Sequence, residues 1–264
     1  MEPWGVVLPS IWNYWKERVD KHKGFLLHKY PYSDTSYICK VFTEDMGVVT
    51  LIAKGAKRPK SPLGARLLPA MLGDWVFKVK RNSEIYTLRE VVSLQDFSHL
   101  TEDPVQAAQL AFLHEIILKT MGVELPHKGV FQALWTGKIW LGQANRTPED
   151  QIRLGLRFLI KIVEELGFAI NHQRCGSCGQ AIAGMGVKLN FQEGTFIGSC
   201  CWSEKAPQSH LALAQMLSLG RCALNQYNAC EEILLAYIET HLGHLLHLKS
   251  YDILTELRVW KNKS

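Results

Sequence analysis

Hydrophobic and polar positions change rhythm once along this chain, near residue 100. Before that point, apolar residues fall in short runs bounded by turn chemistry. Gly24–His28, Tyr37–Thr43 and Val48–Ala53 are three such runs and predict three strands. Tyr32-Ser33-Asp34 after Pro31 separates the first from the second, and Glu44-Asp45-Met46-Gly47 reads as a hairpin loop whose glycine can take positive φ. Asp74–Arg81 alternates cleanly, with Trp75, Phe77 and Val79 facing one way and Val76, Lys78 and Lys80 the other. Tyr86–Leu94 predicts a fifth strand. Five strands in about 70 residues, with a loop-rich connection from third to fourth, fit a small closed barrel of the OB type. The pattern alone fits an SH3-like barrel as well.

From Asp103 the spacing becomes helical. Asp103 is a good N-cap, Pro104 suits the first helical position and Gln106 is placed to close a capping box. The predicted helix runs to about Met121 and stops at Gly122, and a second spans Val130–Leu141. Thr147-Pro148-Glu149-Asp150 repeats the start signal. The helix it opens places Ile152, Leu156, Leu159, Ile160, Val163 and Leu166 on one face and ends at Gly167. Residues 168–205 are irregular, Gly-rich and Cys-containing. Helices resume over Ser209–Cys222 and Ala229–Leu246, with a last one after Ser250. The expectation is an α+β multidomain chain. An N-terminal extension covers 1–22, an OB-type barrel 23–100, and an all-α domain 101–264 with a zinc-knuckle-like segment inserted at about 168–205.

Composition sharpens this layout. The chain has 264 residues, 47% of them hydrophobic, which is ordinary for a globular protein. No apolar run reaches the roughly 18 residues of a membrane span. The first 20 residues lack the basic start and long apolar centre of a signal peptide, so a cytoplasmic setting with reduced thiols is expected. The net charge of +5 is unevenly spread: residues 1–100 hold 15 Lys and Arg against 10 Asp and Glu, and residues 101–264 hold 15 against 15. All the excess lies in the β-rich part, which is where a polyanion would bind.

The candidate chemistry follows that asymmetry. Lys54, Lys57, Arg58, Lys60 and Arg66 crowd the connection after the third strand, joined by Lys78, Lys80 and Arg81. These cations form a candidate phosphate-contacting surface, and Tyr37, with Tyr30, Tyr32 and Tyr86, is a candidate for base stacking. Cys175-Gly176-Ser177-Cys178 is half of a zinc knuckle. The second half would have to come from Cys200 and Cys201, which are adjacent, and neighbouring side chains generally diverge. His172, Glu204 or His210 is then an alternative fourth ligand, and a degenerate knuckle held by packing stays open beside a zinc site. His241, His244 and His247 drift round a helix and read as packing residues. Enzyme signatures are absent: Thr136-Gly137-Lys138 is no P-loop, and there is no G-x-S-x-G or H-E-x-x-H. An RNA-binding barrel and a zinc-dependent nucleic-acid hydrolase are the rival readings.

Residues 24–69 resemble the amino-terminal segment of the RecO family of bacterial recombination and repair proteins. The likeness is carried by Tyr30-Pro31-Tyr32-Ser33, Phe42-Thr43-Glu44, Gly47 and Ala53-Lys54-Gly55-Ala56-Lys57-Arg58. It continues more weakly at Leu166-Gly167-Phe168, Cys175-x-x-Cys178, Leu242-Gly243 and Leu248-Lys249-Ser250. The resemblance implies an OB fold at this position and a recombination mediator of the RecF pathway without catalytic activity. It further implies binding of single- and double-stranded DNA, annealing of strands coated with single-strand-binding protein, and, with RecR, loading of RecA. In that family a pocket in the helical domain takes the acidic tail of the single-strand-binding protein, and the proteins work at the nucleoid. Many members carry a second C-x-x-C where this chain has Cys200-Cys201, and some lack the cysteines altogether.

Overall fold

The structure, a computed structural model, describes residues 19–79, 83–143, 147–182 and 188–261. Its first part is a closed five-stranded barrel built from β1 (Val19–Pro31), β2 (Tyr37–Thr43), β3 (Gly47–Ala53), β4 (Leu72–Lys78) and β5 (Tyr86–Gln95). The strand order is β1-β2-β3-β5-β4, with β1 closing on β4 and the β3–β5 pair parallel. This is the OB arrangement. The short helix α1 (Pro62–Arg66) lies between β3 and β4 and starts on Ser61, whose side chain accepts from the Gly64 amide. Leu26, Cys39, Val41, Val49, Leu51, Trp75, Phe77 and Val91 fill the interior, and Leu63 and Leu67 from in and around α1 pack against them. The Trp75 indole donates to the Gly24 carbonyl at 2.9 Å, so the largest buried side chain leaves no orphan donor.

The first strand begins at Val19, earlier than the expected Gly24. Its first half pairs with β4 and its second half with β2. Residues 19–22 therefore belong to the barrel and not to an extension, while residues 1–18 lie outside the described residues. The polar run Val19-Asp20-Lys21-His22-Lys23 carries no apolar alternation, so its strand character comes from the β4 edge it closes on. Lys21 pairs with Asp74 at 2.6 Å across that edge.

Among the described residues six helices make the second part: α2 (Pro104–Thr120), α3 (Lys128–Leu141), α4 (Pro148–Glu165), α5 (Gln208–Leu219), α6 (Tyr227–Leu242) and α7 (Lys249–Lys261). Both expected N-caps are present. Asp103 accepts from the Gln106 amide, and Thr147 and Asp150 form a reciprocal capping box. α5 and α6 stop at Gly220 and Gly243, both left-handed, before the expected Cys222 and Leu246. Among the helices, the buried Arg258 guanidinium donates to Glu231 at 2.6 Å and to Gln109 at 2.8 Å, joining α7, α6 and α2. Ser250 of the Lys249-Ser250 pair also has a structural role: its amide and hydroxyl both donate to Glu115, which fixes the start of α7 on α2.

Barrel and helices share one core. Phe25, Leu27, Phe42 and Val48 point out of the barrel and pack with Phe97, Phe112, Phe131 and Leu134 in the same cluster that runs through the helices. The loop after α2 reinforces the junction. Val123 bridges to Val48, the Glu124 amide donates to the Val48 carbonyl, and the Tyr86 hydroxyl donates to the Glu124 carboxylate. Burial pushes the Tyr86 hydroxyl up to about 12, with Glu124 adding to the rise. Gly47 serves the same junction twice: its φ is +71°, and a Cβ there would lie 2.0 Å from the Leu125 carbonyl oxygen.

At the centre of the junction lies Lys138 on α3, fully buried. Its Nζ donates to the Ala70 carbonyl at 3.0 Å and sits 4.2 Å from the Phe25 ring centroid and 5.6 Å from that of Phe97. Among the described residues no carboxylate pairs with it. Desolvation holds its pKa well below the ordinary lysine value of 10.5. In the window between the two values the unfolded chain binds a proton that the folded chain does not, so stability rises with pH there. Each unit of depression is worth about 1.4 kcal/mol at a pH below the folded value. Lys138→Met is expected to flatten the climb of unfolding free energy between pH 7 and the alkaline range, measured by denaturant titration at several pH values. Equal slopes in both proteins would show that the amine is not held uncharged.

Candidate nucleic-acid interface and metal centre

Three strand ends meet at one end of the barrel. Pro31 at the end of β1 pairs with Tyr37 at the start of β2, and Tyr37 with Ala53 at the end of β3. The β1–β2 loop and the basic β3–α1 loop therefore leave side by side. Lys57 clasps them: its amide donates to the Thr35 carbonyl at 3.0 Å and its Nζ to the Ser33 carbonyl at 2.8 Å. Both acceptors are neutral carbonyls, so neither contact pairs the ammonium with an acid. Lys54, Arg58 and Lys60 are exposed on the same loop, and among the described residues none of them has a carboxylate within ion-pair distance.

The other predicted cations are not all part of this group. Arg66, at the end of α1, donates to the Val91 carbonyl at 3.4 Å and lies 3.7 Å from Glu90, which partly answers its charge. Lys78 is on the outer side of β4, in the row Tyr30–Ile38–Ile52–Thr87–Lys78 that runs across the paired strands, two strands beyond β3. Lys80 and Arg81 lie outside the described residues. One cation was missed from sequence. Lys40 stands on the outer side of β2, half-buried, its Nζ donating to Thr50 on β3 at 2.8 Å. It is the one charged residue of Tyr37–Thr43, and its place in the alternation opposite Cys39 is the signal that marks it.

Of the candidate aromatics, Tyr37 and Tyr86 are engaged. Tyr37 is half-buried against the barrel core, with Lys29 Nζ 5.1 Å from its ring centroid, and is not an open platform. Tyr86 is buried and stacks on Phe77. Tyr30 and Tyr32 are exposed beside the basic loop.

The insert between α4 and α5 is more ordered than its composition indicates. Strands β6 (Lys188–Asn190) and β7 (Thr195–Ile197) form a hairpin that braces a loop carrying Cys175 and Cys178. The Gly176 amide donates to the Phe196 carbonyl of β7 at 2.9 Å, and Gly179 turns the loop at φ +72°. The start of the insert is tied down by Tyr237 of α6, whose hydroxyl donates to the Phe168 carbonyl at 2.9 Å.

The expectation that adjacent cysteines diverge is overturned. The sulfurs of Cys175, Cys178, Cys200 and Cys201 all lie within 4.8 Å of one another, because a turn closed by the Cys201 amide and the Gly198 carbonyl at 3.0 Å directs both neighbours inward. Four thiolates about 2.3 Å from one ion stand roughly 3.8 Å apart in a tetrahedron, and Cys178 and Cys200 are 3.5 Å apart. The donor set fits a structural metal ion. His172, Glu204 and His210 stand outside the group of four, and His210 instead accepts from the Leu189 amide through Nδ1 at 2.9 Å. The Gly198 and Cys178 amides pull the Cys175 thiol down to about 6, while hydrogen bonding with Cys178 pushes Cys201 up to about 12. One thiolate thus forms readily, while hydrogen bonding with Cys178 and burial hold Cys200 and Cys201 above the ordinary thiol value, a rise that a bound cation would offset. The three histidines His241, His244 and His247 form no such group: His241 packs between Phe168 and Tyr237, and the other two follow the end of α6.

Fold and site together define a class of protein: an OB-type barrel with a cationic loop, fused to a helical domain that bears a four-cysteine knuckle. The chain belongs to the RecO family. The family description "Recombination protein O N terminal" matches residues 18–97 and "Recombination protein O C terminal" matches residues 101–252. Relatives named DNA repair protein RecO include that of Nitrosospira multiformis, 31% identical over 172 residues, covering 63% of this chain and 66% of the relative. The protein of that name from Actinobacillus pleuropneumoniae serotype 7 is 31% identical over 168 residues, covering 61% and 65%. That of Shigella flexneri serotype 5b is 29% identical over 179 residues, covering 67% and 70%. The matched stretch spans just under two thirds of the first two relatives' own length. Among the described residues no helix is long and apolar enough to cross a membrane.

Proposed function

We propose that this protein is a DNA repair and recombination mediator that binds single- and double-stranded DNA without reading sequence and brings complementary strands together. The observation that carries the reading is the group Lys54, Lys57, Arg58 and Lys60. These four cations share one loop at one end of an OB-type barrel, and among the described residues no acid pairs with them. Cations arranged this way neutralise phosphates and release counterions, a term indifferent to base identity. Strands held only by their backbones remain free to re-pair. Family membership supports the rest of the role: annealing on DNA coated with single-strand-binding protein and, with RecR, delivery of RecA, in the cytoplasm at the nucleoid and without catalysis by the protein itself. The helical domain, with no net charge, is the surface for those protein partners.

The knuckle's part in this reading is structural. Cys175, Cys178, Cys200 and Cys201 would hold one zinc ion, which when bound supplies a cross-link between the loop after α4 and the turn before α5. Metal analysis of protein purified without chelator is expected to return about one zinc per chain, and Cys178→Ser combined with Cys200→Ser is expected to abolish it and lower the melting temperature. Metal-free wild-type protein that melts identically with and without added zinc would rule the centre out.

For the nucleic-acid surface, reversing charge at Lys57, Arg58 and Lys60 together is expected to weaken binding to duplexes of any sequence. The slope of log affinity against log salt should become shallower by up to about 0.9 for each phosphate that is no longer neutralised. A triple variant with wild-type slope would move the site elsewhere.

A further inference from the structure

Seven of the chain's tyrosines are among the described residues, and they divide sharply. Tyr86, Tyr227 and Tyr237 are buried, and Tyr37 and Tyr251 are half-buried. Tyr30 and Tyr32 alone are open, at 38% and 62% exposure. Large rings left in water cost free energy that folding does not recover, so two of them side by side at a cationic surface ask for a ligand with an apolar face.

Their placement narrows that ligand. Tyr30 is at the end of β1 and points outward, paired with Ile38 across the ladder. Tyr32 opens the β1–β2 loop and is held by its amide donating to the Ser36 carbonyl at 3.1 Å. The same loop is clasped by Lys57 through Ser33 and Thr35, so the two rings and the four cations of the β3–α1 loop form one rigid surface. Tyr30 already has a ring beside it, His28, with centroids 5.5 Å apart. Tyr32 has no ring contact among the described residues. Tyr32 stands just past the end of β1, two residues on from Tyr30, and the two rings make no contact with each other among the described residues. Each ring can therefore take a base of its own, and the bases of an unpaired strand have faces to offer. A duplex presents no such face along its length.

We propose that Tyr30 and Tyr32 form a base-stacking subsite for an unpaired strand, whose phosphates lie against Lys54, Lys57 and Arg58. The subsite rests on the phosphate-binding reading of that loop and adds to it a preference. Cations alone hold single and double strands alike, and the tyrosines favour the single strand. It also places His28 and Lys40, next along the same outer face, where the strand would continue over the barrel.

The test uses the full chain and two fluorescently labelled probes, an oligothymidine and a duplex with the same number of phosphates per strand, followed by anisotropy across a range of salt. Tyr30→Ala combined with Tyr32→Ala is expected to weaken oligothymidine binding by about 10- to 100-fold and to leave duplex affinity within about twofold. The single-strand salt slope should not change, because every cation stays in place. Tyr30→Phe with Tyr32→Phe retains the ring faces and is expected to bind oligothymidine as the wild type does. Matching thermal melts confirm that these surface changes leave the fold intact. An alanine pair that binds oligothymidine normally, or that weakens both probes equally, sinks the stacking subsite and leaves the phosphate surface standing. Wild-type protein that binds neither probe removes both.

Discussion

A lysine buried with no acid beside it among the described residues sits where the two halves of this protein meet. Lys138 comes from α3, its amine reaches the Ala70 carbonyl just ahead of β4, and rings from β1 and from the end of the barrel close over it. Such a group is costly to bury, and the surroundings that tolerate it are the shared apolar core of Phe25, Phe42, Phe97 and Phe131. Without the helices, Phe25 on β1, Phe42 on β2 and Val48 on β3 would be exposed on the outer face of the barrel. The barrel is therefore not an independent module that happens to be linked to a helical one. Its orientation on the helices is fixed by that core, so under the proposed function a strand held at the cationic end would keep a constant relation to whatever binds the helices.

The same junction completes the barrel. β3 and β5 pair only through Leu51–Tyr86 and Ile52–Thr87, and the early part of β3 instead meets Val123 and Glu124 of the helical domain. A seam of this kind is an edge, and edges left open invite other chains. Here the loop after α2 covers it, which is why Gly47 must lack a side chain.

Some of this was legible in the sequence because it is local. Turn residues bracketed β2 and β3, and Asp103 and Thr147 announced α2 and α4 through side chain–amide bonds spanning three residues. What was not legible depends on partners far along the chain. The polar opening of β1 becomes a strand through β4, more than 50 residues later. Arg66 looks like a free cation until Glu90 is brought beside it. Lys138, in a stretch that reads as an ordinary amphipathic helix, gives no local sign of burial. Cys200 and Cys201 illustrate the reverse error. The general rule that neighbours diverge is sound for extended chain, but it fails at a tight turn, and nothing in Gly198-Ser199-Cys200-Cys201 alone distinguishes the two.

The irregularity in β1 carries a further consequence. Between Leu26 and His28 the ladder slips, so that Leu27 is an extra residue against β2. Ahead of it, even-numbered residues such as Leu26 look inward and Phe25 outward; beyond it the parity reverses, and His28 and Tyr30 look outward. The inserted residue thus adds Leu27 to the apolar side that β1 shows the helices, next to Phe25, while His28 and Tyr30 continue the same outer face toward solvent. Remove that residue and the ladder becomes regular with Tyr30 still facing out, but the helices lose the apolar side chain of Leu27 that packs against them.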